Sequence, residues 1–150
     1  MRTKFFAIIS LIAAIGITQA QADEVKIQTR FGELKTNKDG DLLFKGKVIA
    51  PAVNLVSSAY VISSYKLAAS DVILVSQAAG NTCPGQFAYV SVAADVAKAS
   101  PAFGTCYDDD AKPVQNGEVL TFTMKKLGGK GSTKYVYENG IVTENGKPVK

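Results

Sequence analysis

Three stretches of this 150-residue chain hold residue types able to do chemistry. Ser63-Ser-Tyr-Lys66 fits the S-x-x-K of penicillin-binding proteins, where the lysine sits one helical turn from a nucleophilic serine. Those enzymes also need S-D-N and K-T-G elements in a much larger fold. Neither element is present, so the match reads as chance in a serine-rich strand segment. Asp108-Asp-Asp110 offers three adjacent carboxylates. An EF-hand loop wants acids at alternate positions, a central glycine and a distal glutamate. Pro113 and Val119 occupy the last two of those positions, which leaves a solvated acidic loop or a contact patch for a basic partner. Gly128-Gly-Lys-Gly-Ser-Thr133 resembles a phosphate loop only superficially, because Lys130 is followed by Gly131 and the neighbours read as strands. Lys125, Lys126, Lys130 and Lys134 make this stretch basic, either to blunt strand edges or to meet an anionic polymer or acidic protein.

What is missing narrows the choice further. There is no histidine. Ser-His-Asp and Cys-His catalysis and histidine-dependent zinc or copper sites are thereby excluded. A pair of carboxylates for hydrolysis needs only two acids about 5 to 9 Å apart, and thirteen acids supply such pairs by chance.

The N-terminus sets the compartment. Met1-Arg-Thr-Lys4 is a basic head, Phe5 to Ile17 carries no charge, and Ala20-Gln21-Ala22 fits the small-x-small exit of a signal peptide. The apolar run is shorter than the roughly 20 residues needed to span a bilayer. The expectation is a cleaved signal helix over residues 1–22, a single domain over 23–150, and a periplasmic or secreted protein with no membrane span after cleavage. Cleavage removes Arg2 and Lys4 and no acid, so 15 basic residues face 13 acidic ones, a net charge of +2 rather than +4. That balance gives no argument for nucleic acid.

Two cysteines in an exported chain read as one disulfide, Cys83 to Cys106, worth about 3 kcal/mol through restriction of the unfolded chain. Pro84 and Gly85 follow the first cysteine, and Pro101 and Gly104 precede the second. This is a stapled strand–loop–strand with special backbone geometry. Phe103 and Tyr107 are either core residues or aromatic anchors for a partner, and with Asp108, Asp109 and Asp110 they form the partner-binding candidates.

The elements that must position these residues are strands. Val25–Thr29, Leu42–Ile49 around Lys45-Gly46, Gln86–Val92, Tyr135–Tyr137 and Ile141–Thr143 have β patterning. Asp71–Val75 is continuously apolar after its aspartate, the mark of a strand covered on both faces. Val119–Met124 alternates, with Leu120, Phe122 and Met124 facing in. Asp39-Gly40, Asn116-Gly117, Asn139-Gly140 and Asn145-Gly146 are tight-turn dipeptides. Pro148 makes the last strand an edge. Val53–Leu67 mixes periods, and Ala93–Ala99 reads as a helical turn or a loop. The expected fold class is all-β: an antiparallel β-sandwich or small barrel built of short hairpins, with one disulfide and an N-terminal signal helix.

Asp71-Val-Ile-Leu-Val75, Gly80-Asn-Thr-Cys-Pro84, Phe87-Ala-Tyr-Val90 and Ser100-Pro-Ala-Phe-Gly-Thr-Cys106 together resemble a family of small exported proteins of Gram-negative bacteria. The likeness covers roughly Asp71 to Met124. It implies an exported β domain with one disulfide and brings no activity and no catalytic residues. The expected function is therefore a periplasmic binding or interaction protein without catalytic activity or cofactor, of the kind that inhibits or gives immunity to an envelope enzyme, its partner being an envelope protein. A small carboxylate-dependent hydrolase and an envelope structural module are the alternatives.

Overall fold

The computed structural model describes residues 26–37, 41–49, 61–77, 83, 85–107 and 112–150. The signal segment, Asp39-Gly40 and Asp108–Asp110 lie outside them. The described chain is all-β, with no helix.

Three antiparallel meanders follow one another. The first sheet comprises β1 (Lys26–Thr29), β2 (Gly32–Thr36), β3 (Leu42–Phe44) and β4 (Lys47–Val48). The second comprises β5 (Val61–Lys66), β6 (Asp71–Gln77), β7 (Gln86–Val92) and β8 (Ala97–Ala99). The third comprises β9 (Val114–Asn116), β10 (Val119–Lys125), β11 (Ser132–Glu138), β12 (Ile141–Glu144) and β13 (Lys147–Pro148). Each strand pairs with its sequence neighbour, so every connection within a sheet is a hairpin.

The second sheet is the middle layer. Successive side chains of a strand point to opposite faces. On β6, Ile73 and Val75 join one core with Leu34, Leu42, Phe44 and Ile49 of the first sheet and its margin. Val72 and Leu74 join another, with Leu120, Phe122, Met124, Tyr135 and Tyr137 of the third. β7 divides likewise, Ala88 and Val90 to the first sheet, Phe87 and Tyr89 to the third. The unbroken apolar run of β6 thus has its expected cause, cover on both faces. The alternation of β10 also holds: Leu120, Phe122 and Met124 are fully buried.

The turns at Lys45-Gly46, Asn139-Gly140 and Asn145-Gly146 have positive φ at both central residues, as two-residue hairpins require. At the fourth turn the register differs by one residue from the expectation. Asn116 pairs with Val119, so the loop is Gly117-Glu118. Ala93–Ala99 is a turn followed by β8, and β2, whose Leu34 and Thr36 are buried between exposed or half-exposed polar residues, had no place in the sequence reading. β13 is an edge strand, as Pro148 demands.

Beyond β8 the chain stays beside β7 with a changed register. Val90 pairs with Ala99, yet Phe87 pairs with Phe103, one residue more than a regular ladder would allow. This bulge falls at Pro101, which has no N–H for the ladder. The Ser100 hydroxyl accepts the Tyr89 N–H at 3.0 Å there. The extra residue swings Phe103 onto the face of Phe87 and into the core with the third sheet.

Candidate functional site

A cleft of about 340 Å³ opens at one end of the interface between the second and third sheets. Four hairpin ends converge on it: Leu67–Ser70, Ala93–Val96, Glu118 and Asn139-Gly140. Strand parity decides what its walls carry. Phe87, Tyr89 and Ser91 alternate along one face of β7, so the aromatic core gives way to a hydroxyl at this end. Lys98 stands opposite Ser91 in the ladder and joins the lining, as does Ser100.

Tyr89 and Tyr137 provide the aromatic part of the wall, their ring centroids 4.9 Å apart. The Tyr89 hydroxyl is buried and has no hydrogen-bond partner. A buried donor left unpaired costs roughly 1–3 kcal/mol. Burial, then the neighbouring phenols of Tyr65 and Tyr137, pushes the Tyr89 phenol well above its ordinary value. Burial likewise raises Tyr137, opposed by a hydrogen bond from Ser91. It raises Tyr135 too, reinforced by Glu144 and opposed by the Gly104 N–H. Glu118 is the cleft's one carboxylate, and its oxygens accept the Ala68 N–H at 2.9 and 3.1 Å. Lys98 is exposed and forms no ion pair among the described residues.

These phenols give a pH dependence with a definite sign. Their folded-state pKa values lie above the unfolded value of about 10. They therefore contribute stability that is present below about pH 10 and is lost as pH rises above it toward the folded values. Tyr89, Tyr135 and Tyr137 ionise late and together with alkaline unfolding. Phenolate absorbance and circular dichroism followed on one pH ramp check this; six tyrosines titrating before any loss of structure would contradict it.

The residues singled out from the sequence are placed as follows. Cys83 and Cys106 form the disulfide. Phe103 is corrected from surface anchor to core residue: it is 4 % exposed, and its ring stacks on Tyr89 at 5.2 Å. The Pro101 bulge is the physical reason. Tyr107 is half-buried, with Lys125 Nζ 5.8 Å from its ring centre. Asp108, Asp109 and Asp110 fall outside the described residues. Ser63 and Lys66 lie three apart on β5 and so point to opposite faces. The Ser63 hydroxyl donates to the Tyr65 oxygen at 2.9 Å, which in turn donates to the Pro113 carbonyl at 3.1 Å. No serine–lysine dyad forms there. Among the described residues no cluster of three acids or cysteines gathers to hold a metal.

The cleft itself went unread in the sequence. Its one visible signal was Ser91, a polar residue on a strand face otherwise carrying Phe87 and Tyr89. No family model, curated protein or solved structure matches this chain.

Proposed function

We propose that this chain is an exported binding domain that takes a small amphiphilic anion into the cleft between its second and third sheets. The observation that carries the reading is the convergence on that cleft of the Tyr89 and Tyr137 rings with Lys98, a cation that forms no ion pair among the described residues. The volume lies within the range of small-molecule sites, which combine apolar walls with a few placed polar groups. Leu67, Val96 and the two tyrosine rings suit an apolar body, and Lys98 at the margin suits an anionic end. Binding rather than hydrolysis is favoured because the cleft holds one carboxylate, Glu118, already engaged by a backbone N–H. Export accords with the disulfide, which persists in oxidising compartments. No helix among the described residues is long and apolar enough to cross a membrane.

Aryl and short acyl carboxylates, each beside its neutral amide, test the reading by thermal shift. A carboxylate at 100 times its Kd stabilises the folded state by about 2.7 kcal/mol, whereas its amide shifts the melting temperature less. Lys98→Ala, at an exposed position, abolishes the difference while leaving the unliganded melting temperature in place. An absence of any shift across the set, or carboxylate shifts indifferent to Lys98→Ala, defeats it.

A further inference from the structure

The β10–β11 hairpin is a second feature, independent of the cleft. Its tip runs Lys126-Leu-Gly-Gly-Lys-Gly131 and is closed by the Lys126 N–H to the Gly131 carbonyl at 3.1 Å and the Gly129 N–H to the Lys126 carbonyl at 2.8 Å. Leu127 is 69 % exposed. The tip stands clear of the domain, since a Cβ built on Gly128, Gly129 or Gly131 would meet nothing within 4 Å. Lys125, Lys126, Lys130 and Lys134 surround Leu127 in sequence with no acid between them. All four are exposed, and none forms an ion pair among the described residues. Lys125 alone has an aromatic contact, with Tyr107.

We propose that this tip docks the protein on an anionic phospholipid surface, with Leu127 entering the headgroup–acyl boundary and the lysines meeting lipid phosphates. The apolar apex distinguishes a bilayer from a soluble polyanion. A polyanion rewards the lysines and offers nothing to Leu127; a bilayer interface takes both. Each lysine held near an anionic leaflet strengthens binding roughly fivefold. Sheet geometry adds a consequence. The tip precedes Ser132 at the start of β11, and the cleft lies past Glu138 at its end. Seven strand residues of about 3.3 Å each separate them. A domain docked by the tip holds its cleft about 20 Å away, toward the aqueous side.

Co-sedimentation of the folded protein lacking residues 1–22 decides the matter, with vesicles of phosphatidylglycerol mixed into phosphatidylcholine, vesicles of phosphatidylcholine alone, and soluble dextran sulfate. The protein pellets with the anionic vesicles, less so as salt rises, and stays in solution with the neutral ones. Lys126→Glu with Lys130→Glu weakens vesicle binding by at least about 25-fold. Leu127→Ser weakens it about tenfold and leaves dextran sulfate binding unchanged. Melting temperatures stay within a degree or two of wild type, because the altered side chains stand in open space. Absence of binding to anionic vesicles, equal binding to neutral ones, or vesicle binding indifferent to Leu127→Ser overturns the proposal; the last outcome marks the tip as a polyanion site instead.

Discussion

Gly85→Ala is expected to remove most of the stability of this domain. A Cβ on Gly85 would lie 2.1 Å from the Tyr107 carbonyl oxygen and 2.8 Å from its carbon. A Cβ on Gly104 would lie 2.0 Å from the Gly85 carbonyl oxygen, at a φ of +140° that side chains rarely adopt. The two glycines therefore let the strands around the disulfide meet backbone against backbone. Neither strand has room to yield. Phe87 and Phe103 exchange two backbone hydrogen bonds of 2.8 Å just beyond the contact. Cys83–Cys106 closes the other side, and the Thr105 hydroxyl is bonded to the Lys125 carbonyl of the third sheet. The displacement must spread into the aromatic core. We expect a loss of about 4 kcal/mol or more, at the top of the range for single substitutions. Against a total of about 5–15 kcal/mol, that brings the domain near unfolding. Gly140→Ala is the control: its Cβ meets open space, so it carries only the left-handed backbone penalty of about 1–2 kcal/mol. Urea midpoints distinguish the two, and a Gly85→Ala midpoint no lower than that of Gly140→Ala would refute the interlock.

The second large effect lies where the first sheet meets the second. Asp71 begins β6 and is 5 % exposed. Arg30, in the turn between β1 and β2, gives it two hydrogen bonds, from its backbone N–H at 2.6 Å and from Nε at 2.7 Å. The guanidinium also donates to the carbonyls of Leu67 and Ser70. One arginine thus fastens the first meander to the β5–β6 turn. Removing one partner of a buried pair leaves an uncompensated charge and costs about 3–5 kcal/mol. The Arg30 side chain is 39 % exposed, so solvent screens part of this, and Arg30→Ala should cost about 2 kcal/mol. Asp71→Ala should cost about 3 kcal/mol, because it strands two donors of Arg30, its backbone N–H and Nε, and empties a buried position. Arg30→Ala with Asp71→Ala should cost clearly less than the sum, as contacting residues do. Hydrogen exchange adds location: amides of β1 to β3 lose protection in Arg30→Ala before those of β6 and β7 do. Additive costs, or uniform loss of protection, would show that the clamp does not hold the sheets together.

Local patterning made much of the fold legible. Alternation in Val119–Met124 and the apolar run after Asp71 each mapped onto strands of the expected burial, since period-two side-chain geometry is written directly in the chain. Asn139-Gly140 and Asn145-Gly146 fixed their hairpins, because few dipeptides accept two positive φ values in succession. The two cysteines found each other. β2 escaped because Gly32–Thr36 is short, half polar and supported by its neighbours rather than by its own propensity.

The site was far less legible. Tyr89, Ser91, Lys98, Glu118 and Tyr137 come from three hairpin systems, and nothing in their spacing announces that they share a cleft. The amino-acid sequence by itself determined an all-β chain of short hairpins, its inward faces and its cystine, all consequences of interactions between near neighbours or of residue chemistry. Only the tertiary structure decided which sheets cover the two faces of the middle one, that a bulge at Pro101 turns Phe103 inward, and that a buried phenol is left unpaired beside a cleft. Those outcomes depend on which faces pack together across distant parts of the chain, and hydrophobic packing is non-directional, so no local pattern encodes its partner.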